Sequence, residues 1–368
     1  MVLALALLAG LVALAAPTPQ SGAASGGTGP GATQPADPTA GLSARQLAGQ
    51  RVIYAYDGTQ PPAALEARIA RGEAAGIILF TRNIGSRAGL RRTLRRLQAI
   101  PRPAGLRQAL LIMIDQEGGL VKRLSGAPSR SAAEVGRTGS TTVARTEGRN
   151  TGANLRDVGV NVNLAPVVDV GRPGSYQRRT GRSYGGSAGL VAAMASAFVR
   201  GMRERNVAGA LKHFPGLGPV ALDEDAQVQR VPFSASTLRT VDEFPFGEAA
   251  AAGAQLVMTS TARYPALSTE PALLSRVITT GELRGRLRFR GLSMTDDLQV
   301  PALRRYGGPE TLAVNAARAG NDLLLYAVSY DGGARAMEAV VRAARSGRIP
   351  AAEMRAAVRR VLALRASL

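Results

Sequence analysis

From residue 51 onward, short unbroken apolar runs alternate with stretches whose apolar positions recur every three to four residues. The runs cover 52–56, 76–80, 109–115, 160–168, 208–212, 255–260, 291–296 and 322–326. Most lack the in/out alternation of a half-solvated strand, so they read as strands covered on both faces, as in a parallel sheet. The intervening stretches, for example 65–75, 88–100, 190–206, 238–252 and 309–319, read as amphipathic helices, and 333–346 and 351–368 add two more. Strict β-then-α order over eight repeats predicts an α/β fold, a (β/α)₈ TIM-like barrel forming a single domain over residues 42–368. A doubly wound open sheet shares the alternation, and periodicity alone does not separate the two.

The apolar runs end in polar residues. The third closes on Asp115-Gln116-Glu117, and the fourth contains Asn163 and runs into Asp169. The fifth closes on Lys212-His213, the sixth on Thr259-Ser260-Thr261 and the seventh on Thr295-Asp296-Asp297. A barrel brings such ends together around one mouth, where the catalytic groups of these folds sit. One strand-end Asp taken alone reads equally well as the N-cap of the next helix. Five polar ends together point to a site.

Ahead of this pattern lies an apolar run, residues 2–16, ending in Leu14-Ala15-Ala16 before Pro17. It is short for a membrane-spanning helix and matches a signal-peptide core. The usual basic leader is missing, which leaves a start further upstream or an uncleaved anchor as explanations. Residues 17–41, rich in Pro, Gly, Ser, Thr and Ala, predict a flexible tether. Residues 1–16 thus predict a secreted or cell-envelope protein.

Composition narrows the chemistry. Cysteine is absent, which excludes disulfides, thiolate metal sites, a cysteine nucleophile and a cysteine-linked lipid anchor. A single histidine leaves a zinc site poorly supplied, and no metal or cofactor is expected. The formal charge of +20 would suit nucleic acid, but the arginines are scattered through helical stretches and aromatics make up only 4%. Stacking platforms for bases are therefore scarce. A solvated basic surface attracted to an anionic cell wall or membrane is the expectation, on a chain acting as a monomer.

Only two of the 46 basic residues are lysines, Lys122 and Lys212, and Lys212 adjoins His213, the one histidine. An Arg-rich chain keeps Lys where a compact point charge is needed rather than a planar fork; chance placement is the alternative. Asp115, Lys212, His213 and Asp296 on one rim would make a pocket of carboxylates and cations. Two carboxyl groups flanking a sugar can perform glycoside hydrolysis, and Lys and His can hydrogen-bond sugar hydroxyls.

Four blocks carry a resemblance. They are Asp115-Gln116-Glu117-Gly118-Gly119 with Arg123, Gly181-Arg182-Ser183-Tyr184, Lys212-His213-Phe214-Pro215-Gly216 and Thr295-Asp296-Asp297-Leu298. In this order they resemble the bacterial β-N-acetylhexosaminidases of glycoside hydrolase family 3, over about residues 45–330. The resemblance implies a retaining, metal-independent glycosidase acting on an oligosaccharide that contains N-acetylglucosamine. It implies that Asp296 is the nucleophile and that Asp115, Arg123, Arg182, Lys212 and His213 hold the non-reducing sugar. Read from residue type alone, Arg123 and Arg182 could also be surface salt bridges.

The departure lies in the proton shuttle. In the hexosaminidase branch, the loop after Lys-His-Phe-Pro-Gly carries a second histidine between glycines. An Asp-Ser-His triplet follows, and its histidine is the acid/base. Here the glycines enclose Leu217 and the triplet position reads Asp223-Glu224-Asp225. Three readings follow. Asp225 or Glu224 replaces the histidine, its pKa raised by the clustered acids, Asp223 included. Alternatively the loop is structural and the protein is a weak hydrolase or phosphorylase-like transferase. In the third, catalysis is lost and the chain binds glycan or wall fragments. A solvated acidic turn would look the same in sequence. A β-glucosidase-type member is a further alternative, although that branch usually carries a C-terminal domain for which the residues after 330 leave no room. The leading expectation is an exported glycosidase removing terminal β-linked N-acetylglucosamine from peptidoglycan fragments or chitooligosaccharides.

Overall fold

The structure is a computed structural model that describes residues 37–368. The segment 1–16 and residues 17–36 of the expected tether lie outside the described residues. Ten strands are described: β1 Val52–Tyr54, β2 Gly76–Leu79, β3 Leu111–Ile114, β4 Gln116–Gly118, β5 Val121–Lys122, β6 Val162–Asn163, β7 Ala208–Phe214, β8 Leu256–Thr259, β9 Leu292–Asp297 and β10 Leu323–Tyr326. Eight of them close a parallel barrel in the order β1-β2-β3-β6-β7-β8-β9-β10. Pairing of β1 with β10, Val52 opposite Leu324 and Tyr54 opposite Tyr326, closes the ring and rules out the open sheet. All eight apolar runs became barrel strands.

The barrel interior follows from strand geometry, because alternate residues of each strand point inward. Ile78, Leu164, Met258 and Leu325 come from β2, β8 and β10 and from just past β6; they floor the pocket at the C-terminal mouth. Ile53, Met113, Ala210 and Met294, from the intervening strands, belong to the same buried cluster. Four side chains per layer, drawn from alternate strands, is the filling such barrels require. Above this apolar plug, the strands turn polar.

The helices lie close to the expected spans, with two differences. The helix expected over 238–252 is split into a wide turn Leu238–Asp242 and a helix Phe244–Ala251, with Pro245 in the first turn of the second piece. Proline has no N–H to continue the preceding hydrogen-bond ladder. A long helix, Thr141–Val158, fills the crossover between β3 and β6 without having been singled out in the sequence. Its Thr, Gly and Asn content weakens the helical signal. The folded body also begins earlier than residue 42. Thr39 is buried, its carbonyl accepts from Arg355 at 2.6 Å, and Asp37 pairs with Arg359 at 3.0 Å. Residues 37–41 therefore belong to the packed body rather than to a tether. Among the described residues, no helix is long and apolar enough to cross a membrane.

Candidate active site

The polar strand ends form one pocket of about 560 Å³, a size suited to a sugar. Asp115, Arg123, Arg182, Lys212, His213, Asp223, Glu224, Asp225 and Asp296 all line it. Every site residue expected from the sequence is thus brought to one place.

One half of the pocket is a charge-balanced cluster. Lys212, at the end of β7, places its Nζ 2.8 Å from Asp115 Oδ1 and 2.8 Å from Glu117 Oε1. Arg182 donates to the same Glu117 through Nε at 2.8 Å and Nη2 at 2.9 Å, a two-pronged fork. Burial works against the Lys212 ammonium, but Asp115 and Glu117 outweigh it and hold its pKa above the ordinary value. Burial likewise works against the Glu117 carboxylate, and Arg182 and Lys212 pull it far below the usual range. Arg182 is therefore a largely covered member of this network, its side chain 14% exposed, rather than a surface bridge. Arg123 sits further out, 3.9 Å from Asp115 Oδ2, with its guanidinium over the Phe80 ring at 5.6 Å. Its buried Nε has no partner among the described residues.

The other half is built on β7, β9 and the loop after β7. His213 is held from behind by Asp169: Oδ2 faces Nδ1 at 2.9 Å, and Oδ1 accepts the backbone N–H of His213 at 3.2 Å and of Leu217 at 2.8 Å. This fixes the ring so that Nε2 faces the pocket, 3.9 Å from Glu224 Oε1. Burial opposes the imidazolium, but Asp169 outweighs it and raises the His213 pKa. His213, Glu224 and Asp296 each bring one polar atom within 4.8 Å of the others. Asp296 Oδ1 accepts the next backbone N–H, that of Asp297, at 2.8 Å. Asp297 itself is committed to the backbone, accepting from Gln299 and Ala327 at 3.0 Å each.

The acidic triplet is not a solvated turn; its three members differ. Glu224 is buried, with Oε2 accepting the N–H and the Oγ1 hydroxyl of Thr261 at 2.8 Å each. Asp223 accepts the Tyr176 hydroxyl at 3.1 Å and the Asp225 N–H at 3.2 Å. Asp225 keeps solvent access while its carboxyl lies in the pocket, and that carboxyl has no hydrogen bond among the described residues. Burial, then repulsion from Asp296, Glu224 and Asp223, pushes its pKa up to about 8. Burial first, against a counter-pull from His213 and with a push from Asp296, brings Glu224 up to about 7.

Glu117, Asp169, Tyr176 and Thr261 had no role assigned from the sequence. Glu117, Asp169 and Thr261 did stand at polar strand ends, which is the signal that marks them. Tyr176, in a short helix Tyr176–Arg179 between β6 and β7, gave none.

A closed (β/α)₈ barrel whose C-terminal mouth holds carboxylates beside a Lys-His pair is the frame of a glycosidase. The family model "Glycosyl hydrolase family 3 N terminal domain" matches residues 44–364, and the chain belongs to this family as a glycosidase. An uncharacterized secreted glycosyl hydrolase of Arthroderma benhamiae is 35% identical over 341 residues, 90% of this chain and 96% of that protein. A beta-hexosaminidase of Stenotrophomonas maltophilia is 34% identical over 261 residues, covering 68% of this chain and 75% of its own length. Among solved structures, a family 3 beta-N-acetylglucosaminidase from a Paenibacillus species superposes with a TM-score of 0.83 at 35% identity, over 89% of this chain; this chain spans 63% of that one. A beta-N-acetylhexosaminidase from Beutenbergia cavernae gives 0.81 at 31% identity, over 89% of this chain and 99% of that one.

Proposed function

We propose that this chain is an exported, retaining β-N-acetylglucosaminidase that releases terminal N-acetylglucosamine from wall fragments or chitooligosaccharides. Asp296 is the nucleophile and Asp225 the acid/base. The observation that carries the reading is the placement of Asp296 beside His213 and Glu224, in the pocket where Asp115, Lys212 and Arg182 offer sugar contacts.

In the first step the Asp296 carboxylate attacks the anomeric carbon while Asp225 gives its proton to the glycosidic oxygen, and the aglycone leaves as a neutral alcohol. In the second, Asp225 takes a proton from water, the water oxygen attacks the anomeric carbon, and Asp296 is released. Asp225 suits the role better than Glu224. An acid/base must exchange its proton with substrate and then with water; Asp225 is an exposed residue whose carboxyl turns into the pocket and has no hydrogen bond among the described residues. Glu224 is tied to Thr261. Asp223 fixes the turn through Tyr176 and the Asp225 backbone. Asp115, Arg123, Arg182, Lys212 and His213 grip the sugar, and the basic body is drawn to anionic wall polymers.

The test is release of nitrophenol from the aryl N-acetyl-β-glucosaminide. The wild type is expected to exceed the Asp296→Asn variant by roughly 10⁴-fold in kcat. Turnover no higher than the variant's, with sugar binding retained, would leave a glycan-binding protein instead.

A further inference from the structure

The pocket is divided by charge, and the division selects the aglycone. On the sugar side the carboxylates are matched: Asp115 and Glu117 are within 4.0 Å of Lys212, Arg182 or Arg123. On the side of the acidic turn, Asp223, Glu224, Asp225, Asp296 and Asp297 line the pocket with no Lys or Arg ion pair among the described residues. Two cationic groups border this side, and each is already matched: His213 by Asp169, and Arg82, near Asp297, by Asp57 at 2.9 Å. Arg179 approaches this turn but spends its guanidinium on the carbonyls of Gly174 and Ala221, and it does not line the pocket. This acidic half stands out in a body of net charge +20.

Retaining chemistry puts the leaving group on the acidic side. The acid/base must face the glycosidic oxygen, so the aglycone departs past the turn that carries Asp225. The geometry points to an aglycone subsite that accepts neutral or cationic sugars and rejects anionic ones, which narrows the two substrate classes proposed above to chains of the chitin and chitosan type and disfavours wall fragments with a free N-acetylmuramic acid carboxylate. The inference rests on the proposed retaining glycosidase. Burial and mutual repulsion push Glu224 and Asp225 toward their neutral forms, and three further carboxyl groups, those of Asp223, Asp296 and Asp297, line the same space. Tyr176, half-buried and tied to Asp223, and the exposed side chain of Leu222 add apolar surface for the nonpolar face of a neutral sugar.

A like charge held about 6 Å away at an effective dielectric near 40 costs enough to slow capture about tenfold. The experiment compares β-1,4 disaccharides of N-acetylglucosamine on N-acetylglucosamine, on glucosamine, on N-acetylmuramic acid with its free lactyl carboxylate, and on the lactyl methyl ester of the last. Expected is a kcat/KM at least about tenfold lower for the free acid than for the other three, shrinking between about 0.05 and about 0.5 M salt as screening grows. The variant Asp223→Asn should narrow that gap. A free acid cleaved as fast as its ester overturns the inference, as does an ester as poor as the acid, since bulk alone would then explain the loss. Binding of the same four compounds to Asp296→Asn, followed by calorimetry, separates the two readings. Without turnover of the aryl glycoside the hydrolase proposal falls, and the binding order alone then upholds or refutes the charge selection.

Discussion

Asp169 grips His213 at two points, its Oδ1 accepting the backbone N–H at 3.2 Å and its Oδ2 facing Nδ1 at 2.9 Å. Ring and backbone of the one histidine are thus fixed by a single carboxylate, which also takes the Leu217 N–H at the start of the loop that bears the acidic triplet.

That grip predicts a titration. Burial opposes the imidazolium, Asp169 overcomes it, and the folded pKa lies above the ordinary value of about 6.5. A raised histidine contributes stability fully below its unfolded pKa and loses it as pH rises through the folded one. Because His213 is the only histidine, its imidazole resonances report the site without assignment. NMR titration should show a midpoint above about 6.5 in the wild type and a lower one in Asp169→Asn. A wild-type midpoint below the ordinary value would contradict the arrangement.

Glu117 is the keystone of the sugar side. It is buried between Lys212 and Arg182, so Glu117→Gln leaves two buried cations with one fewer counter-charge. The expected loss is about 3–5 kcal/mol of unfolding free energy, read by urea denaturation near neutral pH. The sign with pH follows from its depressed pKa: its contribution is present above the unfolded carboxylate value and fades as pH falls. The difference between wild type and variant should therefore narrow in acid. A gap that widens in acid would rule out this account.

The barrel was legible in the sequence because its strands are buried on both faces, which leaves unbroken apolar runs such as 76–80 and 255–260. The site was legible because Asp115, Lys212, His213 and Asp296 end such runs. Roles that arise from packing between distant segments were not. Nothing local shows that Glu224 will meet Thr261, or that Tyr176 will reach Asp223. Nor does residue type tell that Asp225 keeps solvent access while its neighbour Glu224 is buried. The helix Thr141–Val158 was obscured for a related reason: its glycines serve close approach, and close approach is invisible until the partner helix is in place.

Those glycines can be tested. A Cβ on Gly148 would lie 2.1 Å from the Phe198 carbonyl oxygen of helix Ala188–Arg203, and one on Gly201 would lie 2.1 Å from the Arg145 carbonyl oxygen. Neither position has room, although both are helical, where Ala would ordinarily be the better residue by about 1 kcal/mol. Gly148→Ala should therefore destabilise by about 1–3 kcal/mol through overpacking. Gly281→Ala, with nothing within 4 Å among the described residues, is the control and should not. Thermal denaturation of the pair decides; equal midpoints would mean the helices cross less closely than described.

The acid/base assignment makes the sharpest demand on pH. Asp225 is pushed up to about 8, by burial first and then by Asp296, Glu224 and Asp223. It must be protonated to deliver a proton to the glycosidic oxygen, so kcat/KM should fall as pH rises through about 8. Glu224 titrates near 7 beside it, and the two carboxyls lose their protons in shared steps rather than singly. In Asp225→Asn the limb near 8 should vanish. Disaccharides, whose leaving groups need the proton, should slow by about 10²–10⁴-fold, whereas the nitrophenyl glycoside should slow far less. Stability should move the other way. A carboxyl raised in the folded state favours folding in acid and loses that advantage as pH rises from the unfolded value of 3.8 to the folded one of about 8, so the variant should gain on the wild type in melting temperature across that range and hold the gain above it. If Glu224→Gln rather than Asp225→Asn erases the alkaline limb and splits the two substrate classes, the proton belongs to Glu224, and the clamp on Thr261 is then a means of aiming it.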